Sequence, residues 1–267
     1  MVSSPVRVQL DIVIEPETAE DLLDALEAAG DDLDRLSANV VYQRFSALQG
    51  DLQTRLGTLY YEDNGAPDVN SDGVADGPAD RAFQVSFRQL IFGDAVRDVS
   101  RDFIFDGEWL VEKEITADGK RFTKRRIAPP GTDFDPFRVG SRTLIPLPLG
   151  QRKADMLARY DTVLLGPHEE IGEIPEGDPL DGLGNAHQLK LTPKAVGDGG
   201  AVDDRFSEIR LWYERGTLLP LATLAVHRNG DESVIRLAGT VKNEHVRPFV
   251  VNTEVPVGGG WIVRVEE

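Results

Sequence analysis

Three two-residue turn signals, Asp106-Gly107, Asp118-Gly119 and Asn229-Gly230, each sit between runs in which apolar and polar residues alternate. A dipeptide that tolerates positive φ reverses the chain within two residues and leaves its flanks antiparallel. Residues 101 to 127 therefore read as three strands joined by two tight hairpins. Alternation extends on both sides. Val41, Gln43 and Phe45 alternate with Val40, Tyr42 and Arg44, a second strand follows around Thr54 to Tyr61, and Phe83, Val85 and Phe87 alternate with Gln84, Ser86 and Arg88. Four further strands fit about residues 187–194, 205–214, 218–227 and 233–242, before a last extended segment over 248–265 that Gly258 to Gly260 interrupt. Because successive side chains point to opposite faces, Ser207, Ile209, Leu211 and Tyr213 share one side of their strand, as do Ile235, Leu237, Gly239 and Val241 of theirs.

Helical spacing occurs in two places. Thr18 and Asp21 have the spacing of a capping box, and Leu22, Leu23, Leu26 and Ala29 form an apolar stripe behind it, so a helix is predicted from about 18 to 29, with an extension toward Leu36. A second helix fits Gln151 to Tyr160, with Met156 and Leu157 inward. Before the first helix, Val6, Val8, Leu10, Ile12 and Ile14 fall on one face of a strand or extended arm that Pro16 closes. Residues 128–150 form a Pro-rich loop that carries Phe134, Phe137, Leu144, Ile145 and Leu147, and the acidic, Gly/Pro-rich stretch 166–186 reads as a surface insertion. A helix followed by two strand successions suggests a curved antiparallel sheet wrapped around a cavity.

Composition removes several classes of function. The 46 acidic against 29 basic residues give a formal charge of -17, which would repel the phosphates of a nucleic acid or an anionic membrane. With no cysteine, disulfides, thiolate metal sites and a cysteine nucleophile are excluded. The apolar runs fall far short of the roughly 20 residues that cross a bilayer, and the first residues show no basic region followed by an apolar one, so no secretory signal is present in this chain. No Gly-x-Ser-x-Gly elbow, phosphate loop or dinucleotide fingerprint occurs, and no nucleophile, base and orienting group can be assembled, so an enzyme is not expected.

The order of elements over about residues 18–257 resembles the LolA-type periplasmic lipoprotein carriers and their outer-membrane lipoprotein-sorting relatives. Local wording is similar too: Phe105-Asp106-Gly107-Glu-Trp109-Leu110 resembles the family's aspartate-glycine hairpin and aromatic strand, Leu189-Lys-Leu191-Thr192-Pro193-Lys194 its Leu-Thr-Pro-Lys strand end, and Phe249 to Gly258 its closing Phe-x-Phe-x-x-Pro-x-Gly segment. The resemblance implies an α+β fold in which a strongly curved antiparallel sheet forms an incomplete, half β-barrel with helices covering its mouth. One domain over 1–267 is expected at this length, and the insertions at about 63–80 and 166–186 depart from the short carriers. The function implied is that of a non-enzymatic carrier or sensor for lipid or lipoprotein acyl chains. It would act in the periplasm, after removal of a signal not present here, and with a membrane-associated transfer partner. Phe103, Phe105, Trp109, Val111, Leu144, Leu147, Leu211 and Tyr213 are the candidate cavity residues; each is equally at home as plain core. An alternative keeps the scaffold, fills its cavity and works as a structural or protein-interaction module. One departure stands out: the carriers hold their lid with an arginine just after the second strand, where this chain reads Leu59-Tyr60-Tyr61-Glu62-Asp63.

No cofactor is required by this reading, but Asp68, Asn70, Asp72 and Asp76, with Gly73 at the sixth position, match the first half of a calcium loop. Ala79 stands where the bidentate glutamate belongs, and an acidic solvated hairpin explains the pattern as well. The histidines at 168, 187, 227 and 245 show no ligand spacing. Lys120 to Arg126 is the one basic cluster, and as a strand it divides its charges between two faces.

Overall fold

The chain reverses at all three turn signals, with Gly107, Gly119 and Gly230 at positive φ, but only the second is a two-residue loop, formed by Ala117-Asp118, while four residues separate Phe105 from Leu110 and five separate Val226 from Glu232; the strands they join build one large sheet. The computed structural model describes residues 15–63, 81–127, 149, 152–172, 177–196, 200–201, 205–247, 249 and 251–266. Helix α1 (Ala19–Asp31) begins with the expected capping box: the Asp21 N–H donates to Thr18 Oγ1 at 3.1 Å and the Thr18 N–H to Asp21 Oδ2 at 3.0 Å. It ends at Asp31, and Leu36 belongs to the first strand.

Six strands follow as an up-and-down meander: β1 (Arg35–Ser46), β2 (Asp51–Asp63), β3 (Arg81–Phe92), β4 (Ala95–Phe105), β5 (Trp109–Thr116) and β6 (Gly119–Arg126). The β3–β4 hairpin turns at Gly93-Asp94, with Gly93 at φ 56°, after four further strand residues beyond the alternation of Phe83 to Arg88. After α2 (Lys153–Arg159), a second meander contains β7 (Tyr160–Leu165), β8 (Ala186–Pro193), β11 (Phe206–Glu214), β12 (Pro220–His227) and β13 (Glu232–Lys242), with the small hairpin β9 (Ala195–Val196) and β10 (Gly200–Ala201) set apart. Antiparallel pairing of β1 with β13 fuses the two meanders, and β14 (Trp261–Glu266) adds to β6 in parallel. The result is a twelve-stranded sheet whose end strands, β14 and β7, do not meet. It is the open, curved half-barrel of an α+β fold.

Sheet twist and β-bulges curve such a sheet. Irregular register occurs at Ser37/Asn39, Leu56/Gly57 and Phe87/Gln89. At Gly57 the backbones come so close that an added Cβ would lie 2.1 Å from the Ser86 carbonyl oxygen, so only glycine fits.

Cross-strand register carries Leu36, Tyr61, Phe83, Phe105 and Leu110 across one face, with Ala38, Leu59, Val85 and Phe103 in the next row. The same concave face continues through Leu237 and Ile235 to Leu211 and Leu189, where Leu22, Leu23 and Leu26 of α1 and Met156 of α2 pack on it. The fully buried α1 leucines are each worth about 1.5–3 kcal/mol of burial.

The stretch 166–186 is not simply a surface loop. Its Leu180 and Leu183 form a second small core on the convex face with Trp212 and Ala222. Trp212 Nε1–H donates to the Pro167 carbonyl at 2.9 Å, and Arg210 and Gln188 both donate to the Glu169 carbonyl, at 3.0 and 3.2 Å. Composition made this segment look solvated; its two leucines are what anchor it. Farther along the convex face, Val251 and Trp261 cover Ile104, Val111 and Phe122, while Thr253 Oγ1 donates to Asp106 Oδ2.

Candidate functional site

The concave faces of β2 to β5 gather an aromatic row that neither helix reaches among the described residues. Phe83 stacks on Phe105 at 5.6 Å between centroids, Phe87 meets Phe103 edge-on at 6.3 Å, and Tyr42 lies 6.0 Å from Phe87. Leu149, Leu33, Ile127 and Leu219 are the described residues beyond the sheet that pack against it. Aromatic faces in offset or edge contact present a polarisable surface with no hydrogen-bonding demand.

Strand periodicity then changes the chemistry. Two residues back from Phe103, Arg101 is the next concave residue of β4; its guanidinium sits 5.1 Å over the Phe103 ring and pairs with Glu112. Glu114 lies 3.9 Å from Arg101 and from Arg121. On β2, Arg55 stands 5.9 Å over Tyr42. Burial pushes the Arg55 pKa down, and the like charge of Arg101 adds to the shift. Among the described residues, Arg101 Nε is buried without a hydrogen-bond partner. The concave face is thus apolar through the aromatic row, closes at one end in Asp63 and Arg81, and at the other gives way to Arg55 and Arg101 with Glu112 and Glu114 beside them. Sequence reading missed Arg55 and Arg101, although the alternation that selected Phe103 and Phe105 also selects Arg101.

Of the candidate cavity residues, Phe103 and Phe105 lie in the aromatic row, and Leu211 and Tyr213 lie on the same face under the helices. Tyr213 also borders a cavity of about 30 Å³ between the end of α1, Leu149 and the β11–β12 turn. Burial holds its hydroxyl well above the usual phenol range, so it stays neutral. Trp109 and Val111 are corrected: Phe105 pairs with Leu110, so Leu110 takes the concave position and its two neighbours face the convex side. There Val111 is core with Ile104 and Phe122, and Trp109 carries Lys124 at 4.8 Å and Arg126 at 5.7 Å over its ring. Leu144 and Leu147, and the calcium-loop positions Asp68, Asn70, Asp72 and Asp76, lie outside the described residues. The acids at the end of β2 are held in place, Glu62 by Arg35 at 2.8 Å and Asp63 by Arg81 at 2.7 Å.

No family model matches the sequence, and no curated protein does either. Three solved structures are similar at low identity and low TM-score over most of both chains. An uncharacterized conserved protein from Thermus thermophilus is similar at TM-score 0.41 and 12% identity, with 92% of this chain and 99% of that chain covered. The lipoprotein LppX of Mycobacterium tuberculosis is similar at TM-score 0.39 and 13% identity, covering 87% and 97%. A putative outer membrane lipoprotein-sorting protein domain from Vibrio parahaemolyticus is similar at TM-score 0.35 and 12% identity, covering 85% and 93%.

Proposed function

We propose that this protein is a non-enzymatic carrier or sensor that holds an acyl chain, of a lipid or of a lipidated protein, on the concave face of its half-barrel, in an extracytoplasmic compartment such as the periplasm. The observation that carries this reading is the aromatic row of Phe83, Phe87, Phe103 and Phe105, a buried apolar cluster, each residue 6% exposed or less, to which neither helix contributes a residue. An acyl chain has no hydrogen-bonding groups along its length, so a receptor needs only dry curvature, and each buried methylene is worth about 0.8 kcal/mol. The anionic or polar end of such a ligand is directed toward Arg55 and Arg101, where one buried donor lacks a partner among the described residues.

The test is a titration of the protein with a series of fluorescent fatty acids of increasing length. Saturable one-to-one binding is expected, strengthening about fourfold per added methylene until the chain outgrows the surface. Phe103→Asp places a charge in the middle of the row and abolishes binding, with circular dichroism as the control for folding. Affinity that is absent, or independent of chain length, would favour the interaction module with a filled interior.

A further inference from the structure

The 166–186 segment does more than cover Trp212. Between it and the convex faces of β1, β2, β12 and β13 lies a groove of about 450 Å³, on the side of the sheet opposite the acyl-chain surface. Its apolar floor includes Phe45, Leu52, Ile171 and Leu224, and Phe45 and Leu52, directly cross-strand neighbours, stay 38% and 47% exposed.

The charges around this floor are one-sided. Glu170, Asp178, Glu208 and Glu232 line the groove with Arg210, and Lys190 bridges Glu170 at 2.6 Å and Glu208 at 3.3 Å from beside it, which leaves Asp178 and Glu232 as the uncompensated acids. Arg210 offers nothing to an incoming anion, because its 5% exposed side chain is saturated by Glu208 at 2.5 Å, Glu170 at 3.3 Å and the Glu169 carbonyl at 3.0 Å. Among the described residues Asp178 and Glu232 form no ion pair. The whole chain carries -17, so its long-range field has the same sign as the groove.

We propose that this groove receives a short cationic, amphipathic segment of a partner protein. Its volume suits a few side chains and is too small for a folded domain. Apolar residues of the segment would bury Phe45 and Leu52, and its Lys or Arg side chains would meet Glu232 and Asp178. This site stands apart from the acyl-chain surface, so a partner could be held while the concave face is loaded or empty.

The experiment uses the full chain and a fluorescein-labelled dodecapeptide of alternating leucine and lysine, followed by anisotropy. The leucine–lysine peptide is expected to bind, a leucine–glutamate peptide not to bind, and a serine–lysine peptide to bind at least about tenfold more weakly. Glu232→Lys and Leu52→Ser alter exposed side chains, and each weakens the first peptide about tenfold while fatty-acid binding is unchanged. Equal binding of the serine–lysine peptide would reduce the effect to charge adsorption and overturn the proposal. So would failure of the leucine–lysine peptide to bind, or indifference to both variants.

Discussion

Trp212→Ala tests whether the 166–186 segment is part of the folded body. Trp212 has no exposed surface, packs against Leu180, Leu183, Ala186 and Ala222, and ties its ring N–H to the Pro167 carbonyl at 2.9 Å. Removing so large a buried side chain costs about 3–5 kcal/mol. For a chain of this length that corresponds to a fall in Tm of roughly 6–20 °C. Trp212→Phe keeps much of the packing and loses the donor, leaving Pro167 short of its partner for about 1 kcal/mol from the hydrogen bond alone. The assay is thermal unfolding of both variants beside limited proteolysis of the segment. The alanine variant should be cut between Gly166 and Ala186 before the rest of the chain, and the phenylalanine variant should fall between it and the parent. A Tm unchanged in the alanine variant, or a segment equally cleavable in the parent, would refute the convex core.

Gly57→Ala forces a methyl against the Ser86 carbonyl at 2.1 Å and should cost at least about 2 kcal/mol in urea unfolding; a neutral outcome would mean the β2–β3 bulge relaxes freely. Thr18→Ala removes the α1 cap and should lower stability by about 1 kcal/mol, measured in the same way, whereas Thr18→Ser should not. Asp231 accepts from the Ala47 N–H at 3.0 Å and from Arg44 at 3.2 Å, and these bonds hold its carboxyl below the ordinary carboxylate value. A lowered folded pKa contributes stability above the unfolded value near 3.9, and that contribution is lost as pH falls through the folded pKa. Asp231→Asn should therefore melt below the parent at pH 7, with the gap closing under about pH 4; a gap that persists into acid would remove the charge from the explanation.

Much of this architecture can be read from local pattern. Glycine after aspartate or asparagine marked three hairpins, and period-two alternation selected the concave residues Phe103, Phe105, Leu211 and Tyr213. What local pattern does not encode is register between distant segments. Val40 meets Leu237 only because β1 and β13, nearly 200 residues apart, close the two meanders into one sheet. Trp109 was misread for the same kind of reason. Its aromatic character suggested the cavity, but the length of the turn after Phe105 decides its parity, and that parity gives the concave place to Leu110. The leucines of 166–186 were hidden among Gly, Pro and acids, which are the usual marks of a solvated loop. Arg101 is legible by counting two residues back from Phe103, but period-two alternation alone does not tell that a charged side chain at the end of an apolar face stays on that face and folds over the neighbouring ring.

The central claim is that an acyl chain lies along the aromatic row, and the most direct test is contact between the two. Intermolecular nuclear Overhauser effects between ¹³C-labelled palmitate and the protein should connect chain methylenes to the ring protons of Phe83, Phe87, Phe103 and Phe105, with the carboxylate end nearest Arg101. Effects confined to the convex face, or none at all with saturating palmitate, would contradict the account.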